Sequence, residues 1–203
     1  TLVLGICSEA LKRYLADVDA VPSTSLLAAM PMGHPGRPPR RTRLHPTLPR
    51  NDVAVAILPL HQDVDDFAQR LQAIKRSSTA AIDRVRQSWG NRFDNYLEFL
   101  PGALVRQVNR VMGHQQAKRK GAFANVVVSN VAGPRRSLFA LDGRLELVDF
   151  FSTGNITDLG HLNITVWSYV DHLTFSFFMR KCGLPQPEKI PTYVREVFDE
   201  LKP

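Results

Sequence analysis

No stretch of this sequence approaches the roughly 18 uninterrupted apolar residues that a membrane-spanning helix needs. Its first residues also lack the basic-then-apolar order of a secretory signal. The chain therefore reads as soluble and cytoplasmic. Cysteine is scarce: of the two present, Cys7 falls in a helix-like pattern and Cys182 stands beside Gly183 after a strand-like one. That spacing offers neither a CxxC pair nor a metal-ligand set, so no metal site is expected and both thiols are expected reduced.

The chain is 203 residues long and 44% hydrophobic, enough for a sizeable core in one domain or one large lobe. Its formal charge of +7 is concentrated in two places. Arg37, Arg40, Arg41 and Arg43 lie in a proline-rich stretch, and Lys118-Arg119-Lys120 precedes a run of valines. Clustered bases serve nucleic acid, anionic lipid head groups or phosphorylated ligands such as coenzyme A, and they equally form plain solvated loops. Nucleic acid is the weakest of these, because no recognition-helix, zinc-finger or RNA-binding signature accompanies the charge. Contact of the arginine stretch with a membrane or lipid-droplet surface stays open beside a mere spacer role.

Periodicity lays out the elements. Leu2, Val3, Ile6, Cys7, Ala10, Leu11, Tyr14 and Leu15 recur at helical spacing, so the chain opens in an amphipathic helix. So abrupt a helical start implies polypeptide upstream. Residues 25–32 read as a strand, 33–50 as a long Pro/Arg-rich loop, and 52–60 as a second strand. Asp63, Asp65 and Asp66 then introduce a helix reaching about Gln87. A further helical stretch from Asn95 to Met112 is interrupted by Pro101-Gly102. Strands follow at 125–130, 138–141 and 145–151, the last two joined by an Asp142-Gly143 turn. Residues 162–169 and 173–179 form another antiparallel pair, and Ile190, Val194, Val197, Phe198 and Leu201 close the chain with a helix. The expected fold class is α+β: a mixed, mainly antiparallel sheet with helices over one face.

Two segments carry the functional signal. Asn125-Val126-Val127-Val128-Ser129-Asn130-Val131-Ala132-Gly133-Pro134 is a buried-type strand running into polar residues and a Gly-Pro turn. Leu162-Asn163-Ile164-Thr165-Val166-Trp167-Ser168-Tyr169 places Asn163 and Thr165 on one strand face and Leu162 and Ile164 on the other. Ser129, Asn130, Gly133, Pro134, Asn163 and Thr165 are the candidate ligand-site residues, weighed against local backbone capping and solvent exposure. Trp167, Phe175, Phe177 and Phe178 read as sheet core in preference to an apolar pocket.

Taken in order, the opening helix, the acid-led helix, Ser129-Asn130-Val131-Ala132-Gly133-Pro134 and Leu162-Asn163-Ile164-Thr165 resemble the C-terminal domain of the bacterial wax ester synthase/diacylglycerol acyltransferase family. The resemblance spans nearly the whole chain. Ala132 stands where that family usually has proline, and His161 where glycine commonly precedes Leu-Asn-Ile-Thr. The family is related to chloramphenicol acetyltransferase and to condensation domains of peptide synthetases. The resemblance therefore implies that residues 1–203 are one lobe of a two-lobed, CoA-dependent acyltransferase, with a substrate tunnel between the lobes.

The implied activity is transfer of an acyl group from acyl-CoA, a co-substrate and not a bound cofactor, to diacylglycerol or a long-chain alcohol. The family's catalytic His-His-x-x-x-Asp-Gly belongs to the N-terminal lobe. None of His34, His45, His61, His114, His161 and His172 is paired with a second histidine or followed by Asp-Gly at that spacing. No catalytic residue is expected in this chain, and its partner is the N-terminal lobe. The family's Asn-Asp motif would fall just before Thr1; Asn51-Asp52 precedes a strand and is a different pair. His161, the one histidine beside a resemblance motif, reads as structural before catalytic. A non-catalytic lipid- or partner-binding domain stays open as the alternative.

Overall fold

The apolar stripe of the opening segment buries itself against two other helices and a sheet. The computed structural model describes residues 1–33, 53–88, 124–156, 161–180 and 183–202. The Asn95–Met112 helical stretch, the proline- and arginine-rich loop, the Lys118-Arg119-Lys120 cluster and Cys182 lie outside them. Helix α1, Leu2–Asp17, buries Leu4, Ile6, Cys7, Ala10, Leu11 and Tyr14. It packs against α2, Phe67–Ser88, and α3, Lys189–Glu200. Asp66 accepts the amide proton of Gln69 at 2.7 Å, so the last of the three aspartates caps α2.

Five strands form the main sheet: β1, Leu27–Gly33; β2, Val53–Pro59; β3, Val126–Val131; β6, Leu162–Tyr169; and β7, His172–Met179. Between β3 and β6 lies a small separate hairpin of β4, Phe139–Ala140, and β5, Leu145–Glu146. The spatial order is β2-β1-β3-β6-β7, antiparallel at both outer joints and parallel at the two inner ones. Seven register pairs join β1 to β2 and eight join β6 to β7, against two and six across the parallel joints. The sheet is mixed and mainly antiparallel, as the sequence led us to expect.

Strand alternation decides which side chains meet the helices. Ala28, Ala56, Leu58, Val126, Val128, Leu162, Ile164 and Val166 join Leu4, Cys7, Leu11, Ile74 and Ile190 in one core. The three helices of the described residues pack on that face, in an α+β arrangement. Ser8, fully buried, satisfies its hydroxyl by donating to the Leu60 carbonyl at 2.7 Å. Gly5 allows α2 to come close: a Cβ there would stand 2.6 Å from Leu71 Cδ1.

The β3 terminus is tied to the β6–β7 turn. Gly133 donates its amide proton to Ser168 Oγ at 3.0 Å, and Val170 donates to the Pro134 carbonyl at 2.8 Å. Val170, at a φ of 52°, makes the turn between β6 and β7. The hairpin expected over 138–151 is present but shorter in regular pairing, with only two residues in each strand. Three successive positive-φ residues, Leu141, Asp142 and Gly143, form its turn.

Candidate functional site

The sheet face opposite the helices holds a groove of about 540 Å3. Its floor follows from the same alternation that built the core. Along β3, Val127, Ser129 and Val131 point away from the helices, and the parallel register sets them beside Asn163, Thr165 and Trp167 of β6. Ala29 lies beside Val127, and Pro31 beside Val55, which extends the floor with apolar side chains to the sheet's other edge. The segment Ser152–Asn155 forms the remaining wall.

That wall is held down by hydrogen bonds from β6. Thr165 Oγ1 donates to Asn163 Oδ1 at 2.8 Å and accepts the Gly154 amide proton at 3.1 Å. Asn163 Nδ2 donates to the Asn155 carbonyl at 3.0 Å. A Cβ on Gly154 would meet Asn163 Nδ2 at 2.5 Å, so the absent side chain is what allows the approach. Both Asn163 and Thr165 are buried, and each of their side-chain polar atoms has a partner within the protein.

Two further polar atoms at the groove lack a partner among the described residues. Ser129 Oγ makes no hydrogen bond to another described residue, and Trp167 Nε1 is buried without an acceptor among them. Phe150 packs edge-on against the Trp167 ring with centroids 4.8 Å apart. Among the described residues no carboxylate, histidine, lysine or arginine lines the groove. Among the described residues it is an apolar trough with the Ser129 hydroxyl on its floor, suited to a hydrocarbon chain carrying an ester, thioester or hydroxyl group.

The sequence candidates divide accordingly. Ser129, Asn163 and Thr165 come together on the groove floor. Asn130 sits on the opposite phase of β3 and is exposed, while Gly133 and Pro134 clamp the strand end to the β6–β7 turn outside the groove lining. Of the four aromatics read as sheet core, Phe175 and Phe177 pack against it. Trp167 lines the groove and Phe178 is 44% exposed, because odd and even positions of β6 and β7 face opposite ways. Residues 152–155 carried no strand or helix pattern, so their part in the wall was not legible; Gly154 between two polar residues was the one available signal.

Three histidines fall among the described residues. His61 shares a 2.7 Å hydrogen bond with Ser77, His172 pairs with Asp171 in solvent, and exposed His161 lies against Gly183. None lines the groove. Burial pushes the Cys7 thiol up to about 12, which keeps it protonated and unreactive in the core.

Among the described residues, an α+β unit carries a mainly apolar trough on the sheet face opposite its helices. Residues 50–202 match the WS/DGAT C-terminal domain, the C-terminal domain of wax ester synthases and diacylglycerol acyltransferases, and the chain belongs to that family. A Mycobacterium tuberculosis H37Rv protein named as a candidate diacylglycerol O-acyltransferase is 33% identical over 171 residues, covering 83% of this chain and 34% of the relative. The O-acyltransferase WSD of Acinetobacter baylyi is 28% identical over 96% of this chain and 39% of its own length.

Among solved structures, the wax ester synthase/diacylglycerol acyltransferase of Marinobacter aquaeolei superposes on 98% of this chain and 41% of its own, with a TM-score of 0.63 and 26% identity. The EpoB cyclization-docking bidomain from Sorangium cellulosum, at 17% identity and a TM-score of 0.51, shares the fold over 97% of this chain and 34% of its own. The chain thus spans well under half the length of these relatives. Among the described residues no helix is long and apolar enough to cross a membrane.

Proposed function

We propose that residues 1–203 form the C-terminal lobe of an acyl-CoA-dependent O-acyltransferase of the diacylglycerol acyltransferase or wax ester synthase type. In this reading the chain supplies one wall of the substrate site. The alcohol oxygen of diacylglycerol or a long-chain alcohol attacks the thioester carbonyl, a base takes the hydroxyl proton, and the C–S bond breaks to release coenzyme A as its thiol. An alcohol is a poor nucleophile at neutral pH, and a positioned base typically contributes about 10²- to 10⁴-fold. Among the described residues no titratable side chain lines the groove, and in this reading the base belongs to the N-terminal lobe.

The single observation that supports the assignment most is the groove itself. Ala29, Pro31, Val55, Val127 and Val131 offer a mainly apolar floor for an aliphatic chain, with the Ser129 hydroxyl between the two valines. Lipid substrates also place the assembled enzyme at a membrane or droplet surface. The deciding assay supplies acyl-CoA with diacylglycerol and, separately, a fatty alcohol, to the chain alone and together with an N-terminal lobe. Ester should form only with both lobes present, and Val127→Trp, which fills the groove, should abolish it. Turnover by the chain alone would place catalysis in this lobe and overturn the reading.

A further inference from the structure

A second groove, of about 490 Å3, lies on the helix side of the sheet between β7 and α3. β7 is the outer strand of the sheet, and no further strand among the described residues pairs with its free edge. Odd positions of β7 face the helices, where Phe175 and Phe177 pack with Ile6, Ala10, Val194 and Val197. Together with Leu173, which is 44% exposed, and the ring of Phe198, they give the groove an apolar floor. The two grooves share no lining residue, and the sheet stands between them.

The rim of this groove is charged. Among the described residues Arg195, Asp199 and Lys202 line it. Lys202 Nζ donates to Asp199 Oδ1 at 2.7 Å and lies 5.3 Å from the centre of the Phe198 ring, so these two charges neutralise each other. The Arg195 side chain is exposed and makes no ion pair or hydrogen bond to another described residue. One uncompensated positive charge is thus left beside an apolar floor. A guanidinium presents paired donors in one plane, the arrangement that matches the two oxygens of a carboxylate.

We infer that this second groove binds a single-chain lipid carboxylate, its hydrocarbon chain along Leu173, Phe175, Phe177 and Phe198 and its head on Arg195. The volume falls within the roughly 300–1,000 Å3 of small-molecule sites, which join an apolar lining to a few placed polar groups. Charge selects the head. A neutral alcohol or ester leaves the guanidinium unpaired, and a doubly charged phosphate meets the Asp199 carboxylate with one free cation to offset it. The site stands whether or not the function proposed above holds, since it lies on the other face of the sheet from the first groove.

The test is calorimetric titration of the whole chain with sodium dodecanoate below its micelle concentration, the first groove being filled by Val127→Trp. Dodecanoate should bind, and adding Arg195→Gln should weaken it about tenfold or more, the scale of a lost hydrogen bond between charged groups. Arg195 is exposed, so circular dichroism of Arg195→Gln alone should match wild type. Amide chemical-shift mapping with dodecanoate on the wild-type chain locates the site without any variant, and shifts should appear at Leu173, Val194 and Phe198. Absence of binding, equal binding with and without Arg195→Gln, or shifts confined to Val127 and Val131 overturns the inference. Tighter binding of dodecanol or dodecyl phosphate at these residues overturns the choice of head group. Light scattering that shows a dimer broken by Leu173→Glu also overturns it, because a second copy of the chain then covers the groove.

Discussion

The Gly133 amide donates to the Ser168 hydroxyl, and the two backbones come so close there that any Cβ on Gly133 would overlap the Ser168 carbonyl oxygen. This contact fastens the end of β3 to the turn that reverses β6 into β7. The obstruction is backbone, which cannot rotate aside as a side chain can. Gly133→Ala should therefore cost at least the roughly 1–3 kcal/mol typical of overpacking. Thermal melting should show the loss, and Ser168→Ala, which removes only the hydrogen bond, should cost about 1 kcal/mol.

The groove wall makes a second prediction. Thr165→Val leaves the Gly154 amide without its acceptor, and Asn163→Leu removes the donor to Asn155 as well. Each should destabilise by about 1–3 kcal/mol. The sharper readout is hydrogen exchange: the amides of residues 153–155 should lose protection while those of α1 keep theirs. Unchanged exchange at Gly154 would show that the wall is held by something else.

A third concerns Glu9 and Arg70. The Arg70 side chain is 1% exposed, its Nη2 pairs with Glu9 Oε2, and its Nε and Nη1 have no partner among the described residues. Removing one member of such a pair leaves a buried charge uncompensated, so Glu9→Ala should cost about 3–5 kcal/mol. Replacing both, as Glu9→Leu with Arg70→Met, should recover much of that, because the desolvation of both ions is relieved together. Chemical denaturation midpoints of the two variants distinguish these outcomes.

A fourth is the response to acid. Hydrogen bonds from Lys189, Lys12 and Arg13 hold the carboxyls of Asp17, Asp65 and Glu200 below the usual carboxylate range. A carboxyl lowered in the folded state stabilises it fully above its ordinary pKa of about 4, and that contribution is lost as pH falls through the lowered value. Stability should therefore drop on acidification below about pH 4. All three carboxyls are at the surface, so high salt should shrink the effect. In Lys12→Met/Lys189→Met the acid slope should flatten, as urea midpoints across the pH series would reveal.

Much of the fold was legible because periodicity encodes which side faces the core. The α1 stripe from Leu4 to Tyr14, the aspartates ahead of α2, and the Leu162–Tyr169 and 173–179 pair all appear where their patterns put them. The 138–151 hairpin was overextended, since apolar content alone cannot separate a paired strand from an extended arm with exposed side chains. The same ambiguity put Trp167 and Phe178 in the core.

By itself the sequence determined the family, through Ser129-Asn130-Val131-Ala132-Gly133-Pro134 and Leu-Asn-Ile-Thr, and the absence of a paired histidine motif from the chain. Tertiary structure alone decided which of those motif residues share a surface. Parallel pairing of β3 with β6 sets Ser129 beside Thr165 across more than thirty residues of intervening chain, while Gly133 and Pro134 turn away to clamp the next strand. Side-chain alternation is local and can be read from sequence; register between distant strands is fixed only when the core closes.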